Sequence, residues 1–272
     1  MYLTIRLTLT VFVYIVLYLI SKLTLQPEAT ILVYHSVSDN KSPYSISPER
    51  FKRQFKYLFD NYSIISLDEI VSFVKGEKNV PKKSVCITFD DGFESVYKVA
   101  YPLFKENKCP FTVFLTTGFC GGILPLPPYE KLLNWEQVKE MSENNVTIGV
   151  HTVNHLDLTN LDIKEVEKEI LESKKEIERK TGKKVKYLAY PFDRWNWNIV
   201  NLVSKLDFEG AVNGVKGHPI KLGANRFILR RVNVESSDSF LMFKLKLTRA
   251  DYWFESLKNG IKKTLDKVFA IP

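Results

Sequence analysis

Cysteine and histidine are scarce in this chain of 272 residues, which holds 3 Cys and 4 His. Cys86, Cys109 and Cys120 are odd in number and show no C-x-x-C spacing, which argues against a disulfide framework. The sequence contains no internal repeat and no basic stretch interleaved with aromatic residues. A nucleic-acid-binding protein is therefore disfavoured, although the net charge is +8.

The composition, 45% hydrophobic and 26% charged, is typical of a globular protein with a substantial core. The length allows one large α/β domain or two small ones. The positive charge has two interpretations: lysine-rich helix surfaces, or attraction to an anionic membrane or cell envelope.

The run from Leu7 to Ile20 has no charged residue, and with the residues before it approaches the ~20 apolar residues that cross a bilayer. No small-x-small cleavage site follows it. We therefore predict a signal anchor or transmembrane helix over residues 1–24, a linker over 25–30, and a domain outside the cytoplasm, in the periplasm or at the cell surface. A cleaved signal, which would give a secreted protein, is the alternative.

Apolar strands alternate with amphipathic helices over most of the remaining chain, which predicts a mostly parallel sheet. We assign residues 31–250 to this domain, and the regular alternation suggests a barrel. Apolar residues at helical spacing predict a C-terminal helix over 251–272, which either packs on the domain or lies on a membrane.

Two adjacent carboxylates, Asp90 and Asp91, follow an apolar strand, and Gly92 allows a sharp turn after them. On a regular strand they would point to opposite faces, but at a strand end both can reach one pocket. Such close like charges repel each other unless a cation separates their roles. The pattern predicts that one Asp binds a metal ion while the other accepts a proton.

His151 and His155 follow another predicted strand, Val146–Val150. Their i, i+4 spacing predicts a helical turn that presents both imidazoles to one metal ion. With Asp91 they would supply three protein ligands, as in a catalytic zinc site that keeps one position open. The alternative is a surface Asp pair and two unrelated histidines.

The stretches Thr88–Gly92 and His151–His155 resemble the first two motifs of the polysaccharide deacetylases, carbohydrate esterase family 4. The resemblance is strongest for the biofilm poly-N-acetylglucosamine deacetylases. It implies a distorted, incomplete (β/α) barrel. It also implies that Asp91, His151 and His155 bind a divalent metal, Zn²⁺ with Co²⁺ or Ni²⁺ as alternatives, and that Asp90 is the general base.

Tyr190-Pro191-Phe192 resembles the third family motif, which implies that the backbone N–H of Tyr190 helps to bind the oxyanion. Asp193 stands where the biofilm subgroup usually has Gly. The resemblance implies sugar contacts from the following residues: Tyr190, Pro191, Phe192, Trp195 and Asn196. Helix packing is the alternative for Trp195.

Two further roles follow from the resemblance. Arg231 aligns with the Arg that keeps the base ionised and oriented in the biofilm subgroup; surface arginines on an edge strand are the alternative. His35 follows the first strand of the domain and resembles the subgroup's acid histidine. His218 is the competing candidate, but no apolar strand precedes it.

The resemblance therefore implies a metal-dependent hydrolase that removes N-acetyl groups from an amino-sugar glycan of the N-acetylglucosamine type. Two alternatives stay open: a deacylase of a lipid-linked amino sugar, and an inactive, membrane-anchored carbohydrate-binding protein. Glycoside hydrolysis by the Asp pair is disfavoured, because such carboxylates lie ~5 Å or more apart. The sequence does not fix the oligomeric state.

Overall fold

The computed structural model describes Val16, Leu19, residues 29–214 and residues 220–248. Within these ranges, no helix is both long and apolar enough to cross a membrane. The predicted anchor, apart from Val16 and Leu19, lies outside the described residues, as do His218 and the predicted C-terminal helix.

The described strands form one sheet of nine strands in which every pairing is parallel. They are β1 (Ala29–Tyr34), β2 (Ser63–Ile64), β3 (Ser84–Phe89), β4 (Phe111–Leu115), β5 (Val146–Val150), β6 (Tyr187–Ala189), β7 (Gly210–Asn213), β8 (Leu229–Arg230) and β9 (Val232–Asn233). β1 begins at Ala29, so the last two residues of the predicted linker belong to a strand. The order is β8-β7-β6-β5-β4-β3-β1-β9, and β2 adds to β3.

Residues 229–233, which we call the seam, almost close this sheet into a barrel. β8 pairs with β7 and β9 pairs with β1, so consecutive residues join the two ends of the sheet. Arg231 lies between the two strands, and its backbone N–H donates to Asn213 O at 2.8 Å. The result is a distorted, nearly closed parallel barrel, which confirms the predicted α/β barrel architecture.

The helices are α1 (Pro48–Asn61), α2 (Leu67–Val74), α3 (Tyr101–Glu106), α4 (Trp135–Glu143), α5 (Ile163–Thr181), α6 (Trp197–Val203) and α7 (Phe240–Lys246). The sequence predicts one α-helix from 93 to 107, whereas the structure has a π-helix over Val96–Ala100 followed by α3. Pro102 has no N–H to continue an α-helical ladder, which explains the change of hydrogen-bonding pattern. α7 was not predicted from the sequence.

The parallel strands bring their carboxyl ends to one edge of the barrel, which we call the mouth. His35 follows β1, Asp90 follows β3, His151 follows β5 and Tyr190 follows β6. The strands β1, β3 and β4 are buried at every residue, so they form a rigid core under these loops. Residues far apart in sequence therefore meet at the mouth, where barrel enzymes place their chemistry.

Candidate active site

A cavity of about 440 Å³ opens at the mouth. This volume lies within the range of small-molecule sites, ~300–1,000 Å³. Its polar lining includes His35, Asp90, Asp91, His151, His155, Asp193, Arg194, Arg231 and Asn233, and its other lining includes Tyr44, Leu124, Leu126, Pro127 and Phe192. The cavity thus brings together the predicted metal ligands, base and acid.

The turn after β3 directs two adjacent carboxylates into this cavity. Asp90 still pairs with β1, because its N–H donates to Tyr34 O at 2.9 Å. Asp91 then adopts a left-handed conformation with φ 67°. Gly92 follows with φ 84°, and a Cβ there would lie 2.6 Å from Leu115 Cδ2, so only glycine fits without movement. The break in the strand explains how neighbouring residues reach one pocket.

Asp91, His151 and His155 converge as a set of metal ligands. Asp91 Oδ1 lies 3.2 Å from His155 Nε2 and 3.5 Å from His151 Nε2. One potential ligand atom from each of the three residues lies within 4.8 Å of the others. Two donors on a tetrahedral zinc ion, each ~2.0–2.1 Å from it, are ~3.3 Å apart. The spacing therefore fits a divalent ion held by three protein ligands.

Unsatisfied polar atoms support the same assignment. Among the described residues, the buried atoms Asp91 Oδ1 and His155 Nδ1 have no hydrogen-bond partner. The approach of His155 to Asp91 is close enough for attraction between charges but lacks hydrogen-bond geometry. A buried polar atom without a partner costs ~1–3 kcal/mol, and a cation beside Asp91 would offset that cost.

The pKa values of this cluster are shifted by burial and by its own charges. Burial raises the pKa of Asp91, but the imidazoles of His155, His35 and His151 outweigh burial and lower that pKa to about 2. Burial lowers the pKa of His151 below its ordinary value. Burial also opposes protonation of His155, but Asp91 outweighs it and raises that pKa. Asp91 thus remains ionised, as a metal ligand must be.

The loop that carries the histidines is not the helical turn predicted from their spacing. Thr152 and His155 have φ values of 66° and 54°, which no α-helix contains. Glu169 of α5 accepts hydrogen bonds from the N–H groups of Val153 and Asn154 at 3.1 and 2.9 Å. Because a side chain satisfies these backbone groups, the loop needs no helical hydrogen bonds to bring the imidazoles together.

The carbonyl of Ala189 orients the ring of His151. His151 Nδ1 lies 2.9 Å from Ala189 O, which places the proton on Nδ1 and leaves Nε2 free as a ligand. Such a hydrogen bond from a ligating imidazole to a carbonyl is a common feature of metal sites. The neighbouring strand β6 therefore sets the tautomer and the direction of this ligand.

Arg231, rather than Arg230, reaches Asp90. Its Nη1 and Nη2 atoms donate to the two Asp90 oxygens at 2.6 Å each, and Nη1 also donates to Thr88 Oγ1 at 3.2 Å. Arg231 is 1% exposed, whereas Arg230 lies on the surface. Burial raises the pKa of Asp90, but Arg231 and the nearby imidazoles of His151 and His35 outweigh it and lower that pKa. The base candidate is therefore ionised and fixed in orientation.

The segment after β6 differs from the predicted oxyanion site. Tyr190 N–H donates to Val212 O at 3.2 Å and Tyr190 Oη donates to Phe227 O at 2.9 Å, so both donors are used inside the fold. The pairing with β7 thus continues one residue beyond β6. Tyr190 and Phe192 both line the cavity, but Tyr190 is buried whereas Phe192 is 49% exposed, and its ring centroid lies 4.6 Å from that of His155.

Three residues predicted to contact sugar take part in capping and packing. Asn196 caps α6, because its Oδ1 accepts the N–H of Ile199 at 3.0 Å. Trp195 packs edge-on against Trp197, with ring centroids 5.5 Å apart. Pro191 is buried. Within the described ranges, none of the three lines the cavity.

Sequence reasoning missed Tyr44 and the loop that includes Leu124, Leu126 and Pro127. Tyr44 is 50% exposed, and its ring lies 5.2 Å from that of His35 in the cavity. An aromatic residue inside the polar loop 38–47 was the signal that could have identified it. The three loop residues form an apolar part of the wall, which nothing in their own pattern indicates.

Backbone strain concentrates at the mouth. The described ranges contain ten non-glycine residues with positive φ, and five of them lie at this site: Asp91, Thr152, His155, Phe192 and Asp193. Left-handed conformations of such residues cost ~1–3 kcal/mol each and cluster at functional sites. The fold therefore holds these loops in conformations that they would not adopt alone.

Comparisons with known proteins find similar sequences and a similar fold. Residues 77–211 match the family model for polysaccharide deacetylases. A putative polysaccharide deacetylase, YxkH of Bacillus subtilis, is 29% identical over 205 residues, which cover 75% of this chain and 70% of that protein. A poly-beta-1,6-N-acetyl-D-glucosamine N-deacetylase of Staphylococcus aureus is 26% identical over 221 residues, covering 77% and 74%.

A solved structure extends the similarity to the whole barrel. The structure of IcaB from Ammonifex degensii superposes with a TM-score of 0.72 and 25% identity, and covers 83% of this chain and 97% of that one. Sequence, site and fold thus point the same way, and the family resemblance seen in the two motifs is confirmed. The chain is therefore similar to the polysaccharide deacetylases in both sequence and fold.

Proposed function

We propose that this protein removes N-acetyl groups from an amino-sugar glycan in a metal-dependent hydrolysis. The observation that carries the proposal is the meeting, in one cavity, of the Asp91–His151–His155 cluster and an Asp90 carboxylate held by Arg231. One relative is named for its action on poly-β-1,6-N-acetyl-D-glucosamine. By extension, we propose an N-acetylglucosamine-type polysaccharide as the substrate here.

Asp91, His151 and His155 would hold the metal ion, Zn²⁺ with Co²⁺ or Ni²⁺ as alternatives. When bound, such an ion polarises a carbonyl group and lowers the pKa of water. His151 is already in the tautomer that offers Nε2, and Asp91 is already ionised. Asp91 raises the pKa of His155, and below that pKa the binding of a metal ion also displaces a proton from His155.

Asp90 is proposed as the general base that accepts a proton from the attacking water. Its carboxylate lies in the cavity, is 4% exposed and remains ionised beside Arg231. The fork from Arg231 occupies both oxygens, so the base keeps one orientation while each oxygen still has a lone pair for a proton. Arg231 is therefore a positioning residue in this reaction.

The oxyanion of the tetrahedral intermediate needs a donor from the chain, and Tyr190 N–H is already bonded to β7. Phe192 N–H is the better candidate. It belongs to a residue that lines the cavity, and the turn after Tyr190 holds this residue at φ 55°. A backbone donor held in advance stabilises developing charge without reorganisation.

His35 is proposed as the general acid that protonates the departing amine. It lines the same cavity as Asp90 and Asp91, and its ring packs against Tyr44. An amide nitrogen leaves poorly as an anion, so proton donation accelerates this step. The products are acetate and a glucosamine unit that carries a positive charge.

We also propose that residues 1–24 anchor the enzyme in a membrane with the catalytic domain outside the cytoplasm. The uncharged run from Leu7 to Ile20 supports this location. Fractionation of cells that express the full-length protein is the test. Recovery of the protein in the cytoplasmic fraction would contradict the proposal, and a mature N-terminus beyond residue 24 would replace the anchor with a cleaved signal.

The test of the function is acetate release from a panel of N-acetylated substrates: β-1,6- and β-1,4-linked N-acetylglucosamine oligomers, and a lipid-linked N-acetylated sugar. We expect release from an oligomer, and abolition of release by a chelator and by His151→Ala. Release from the lipid-linked sugar alone would replace the polysaccharide with that substrate. Binding to the oligomers without any release would identify an inactive binding protein.

A further inference from the structure

Arg231 lies between two carboxylates, of which Asp90 is only one. Its Nη2 atom donates to Asp90 Oδ2 at 2.6 Å and also lies 3.6 Å from Asp193 Oδ1. The Arg231 side chain has no exposed surface, whereas that of Asp193 keeps 33%. A single guanidinium nitrogen therefore contacts both the proposed base and a second acidic side chain.

Asp193 is held firmly in this position. Its Oδ1 accepts a hydrogen bond from the backbone N–H of Gly214, directly after β7. A Cβ at position 214 would overlap the Asp193 carboxylate, so Gly214 provides the necessary space. Asp193 thus connects the loop after β6, the end of β7 and the arginine in the seam.

The charge of Asp193 is the property that its geometry does not explain. Asn could accept the same hydrogen bond from Gly214 N–H. Asn also tolerates the left-handed φ of 57°, and Gly would adopt it without strain. An Asp adds a third carboxylate to a cavity that already contains Asp90 and Asp91, which is unfavourable unless a cation offsets it. Arg231 is the cation in contact.

We propose that Asp193 is a positioning residue that acts through Arg231. Its negative charge holds the buried guanidinium from a second direction, so that the fork onto Asp90 keeps its geometry during turnover. The inference rests on the proposed function in one respect, namely that Asp90 is the base. The inference predicts that kcat depends on the negative charge at position 193 and not on the hydrogen bond between Asp193 and Gly214 N–H.

The first test compares Asp193→Asn with the wild type on the N-acetylated oligomer that the acetate-release assay identifies as the substrate. We expect kcat to fall about tenfold, less than the ~10²-fold that a misplacement of 1 Å can cost, with KM and zinc stoichiometry unchanged. Asp207→Asn is the matched control, because Asp207 also has φ 57° but its side chain is 73% exposed and lies outside the cavity lining. It should leave kcat unchanged.

A double-mutant cycle with Arg231→Lys tests whether Asp193 acts through Arg231. Lys keeps the charge but cannot fork both oxygens of Asp90. In the Arg231→Lys protein, Asp193→Asn should lower kcat less than about twofold, because the two substitutions affect one interaction. Equal losses in both backgrounds would overturn the proposal, as would wild-type kcat in Asp193→Asn or a raised KM with unchanged kcat.

Side-chain NMR of ¹⁵N-arginine protein separates this inference from the proposed function. Arg231 Nε is buried, so its N–H should exchange slowly with solvent, although among the described residues it has no acceptor. We expect faster exchange in Asp193→Asn and no change in Asp207→Asn. An unchanged signal in Asp193→Asn overturns the positioning role, whatever the activity. If exchange is faster in Asp193→Asn but the wild type deacetylates no glycan, the contact between Asp193 and Arg231 is retained and the proposed deacetylase function is rejected.

Discussion

The two ends of the barrel contain similar side chains in different electrostatic states. Before β6, Asp68 binds Lys186 Nζ at 3.0 Å and accepts the hydroxyl of Tyr187, and the Asp68 and Lys186 side chains are 48% and 43% exposed. At the mouth, Asp90 and Asp91 are at most 5% exposed. Within the described ranges, Asp91 Oδ1 has no hydrogen-bond partner.

The difference separates structural charges from chemical ones. The half-exposed pair of Asp68 and Lys186, at the end of the barrel opposite the mouth, is typical of surface ion pairs, which add ~0–1 kcal/mol of stability. The buried carboxylates of the mouth carry a desolvation cost, and the loops around them are strained. A fold keeps such an arrangement where its chemistry requires it.

Asp90→Asn should produce the largest change in rate. It keeps the shape of the side chain but removes the carboxylate that accepts a proton, so we expect kcat to fall ~10²–10⁴-fold. Bound zinc, measured by elemental analysis, should stay stoichiometric because Asp91 and both histidines remain. Retained turnover in a metal-loaded Asp90→Asn protein would show that another group is the base.

His35→Ala should discriminate between substrates. Turnover of a glycan acetamide should fall ~10²-fold, because its amine leaving group needs a proton. Hydrolysis of an activated aryl ester, whose leaving group needs none, should change little. His35→Gln controls for the loss of volume beside Tyr44. Equal losses on the amide and the ester would reject His35 as the acid, and loss of zinc would make it a ligand.

Metal uptake should depend on pH through one histidine. Asp91 raises the pKa of His155 in the metal-free protein, whereas burial lowers that of His151. Below the pKa of His155 the metal must displace its proton, so affinity should fall ~tenfold per pH unit as the pH decreases. At a pH between the pKa values of His151 and His155, calorimetry in buffers of different ionisation enthalpy should find one released proton. Release of two protons would contradict the assigned states.

Asp68→Asn should have the smallest effect on the reaction. Loss of its ion pair with Lys186 should lower the melting temperature by only ~2–4 °C, which corresponds to ~1 kcal/mol in a domain of this size. The kcat for acetate release should equal that of the wild type. A fall in kcat comparable to that of Asp90→Asn would contradict the distinction between structural charges opposite the mouth and chemical charges at the mouth.

The local part of the site could be predicted from the sequence. Asp90, Asp91 and His35 follow apolar strands directly, and a strand end is visible in hydrophobic patterning. The parallel alternation of elements then places these ends together. For the same reason His151 was placed at the mouth, although its loop was predicted as a helical turn.

Long-range contacts could not be predicted from the residues alone. The local sequence pattern predicts Arg231 to be a surface residue on an edge strand. Only closure of the barrel through the seam buries it beside Asp90. The hydrogen bond of Tyr190 N–H depends on how far β6 pairs with β7. Asn196 could cap a helix or contact a sugar, and the exact start of α6 decides between them.

The central claim is that Asp91, His151 and His155 bind a divalent ion without which the mouth is inactive. The most direct measurement is acetate release by chelator-treated protein, checked as metal-free by elemental analysis, during titration with Zn²⁺. We predict no release from the metal-free protein, recovery that saturates at one equivalent of zinc, and no recovery in His151→Ala. Full activity of the metal-free wild type would contradict the account.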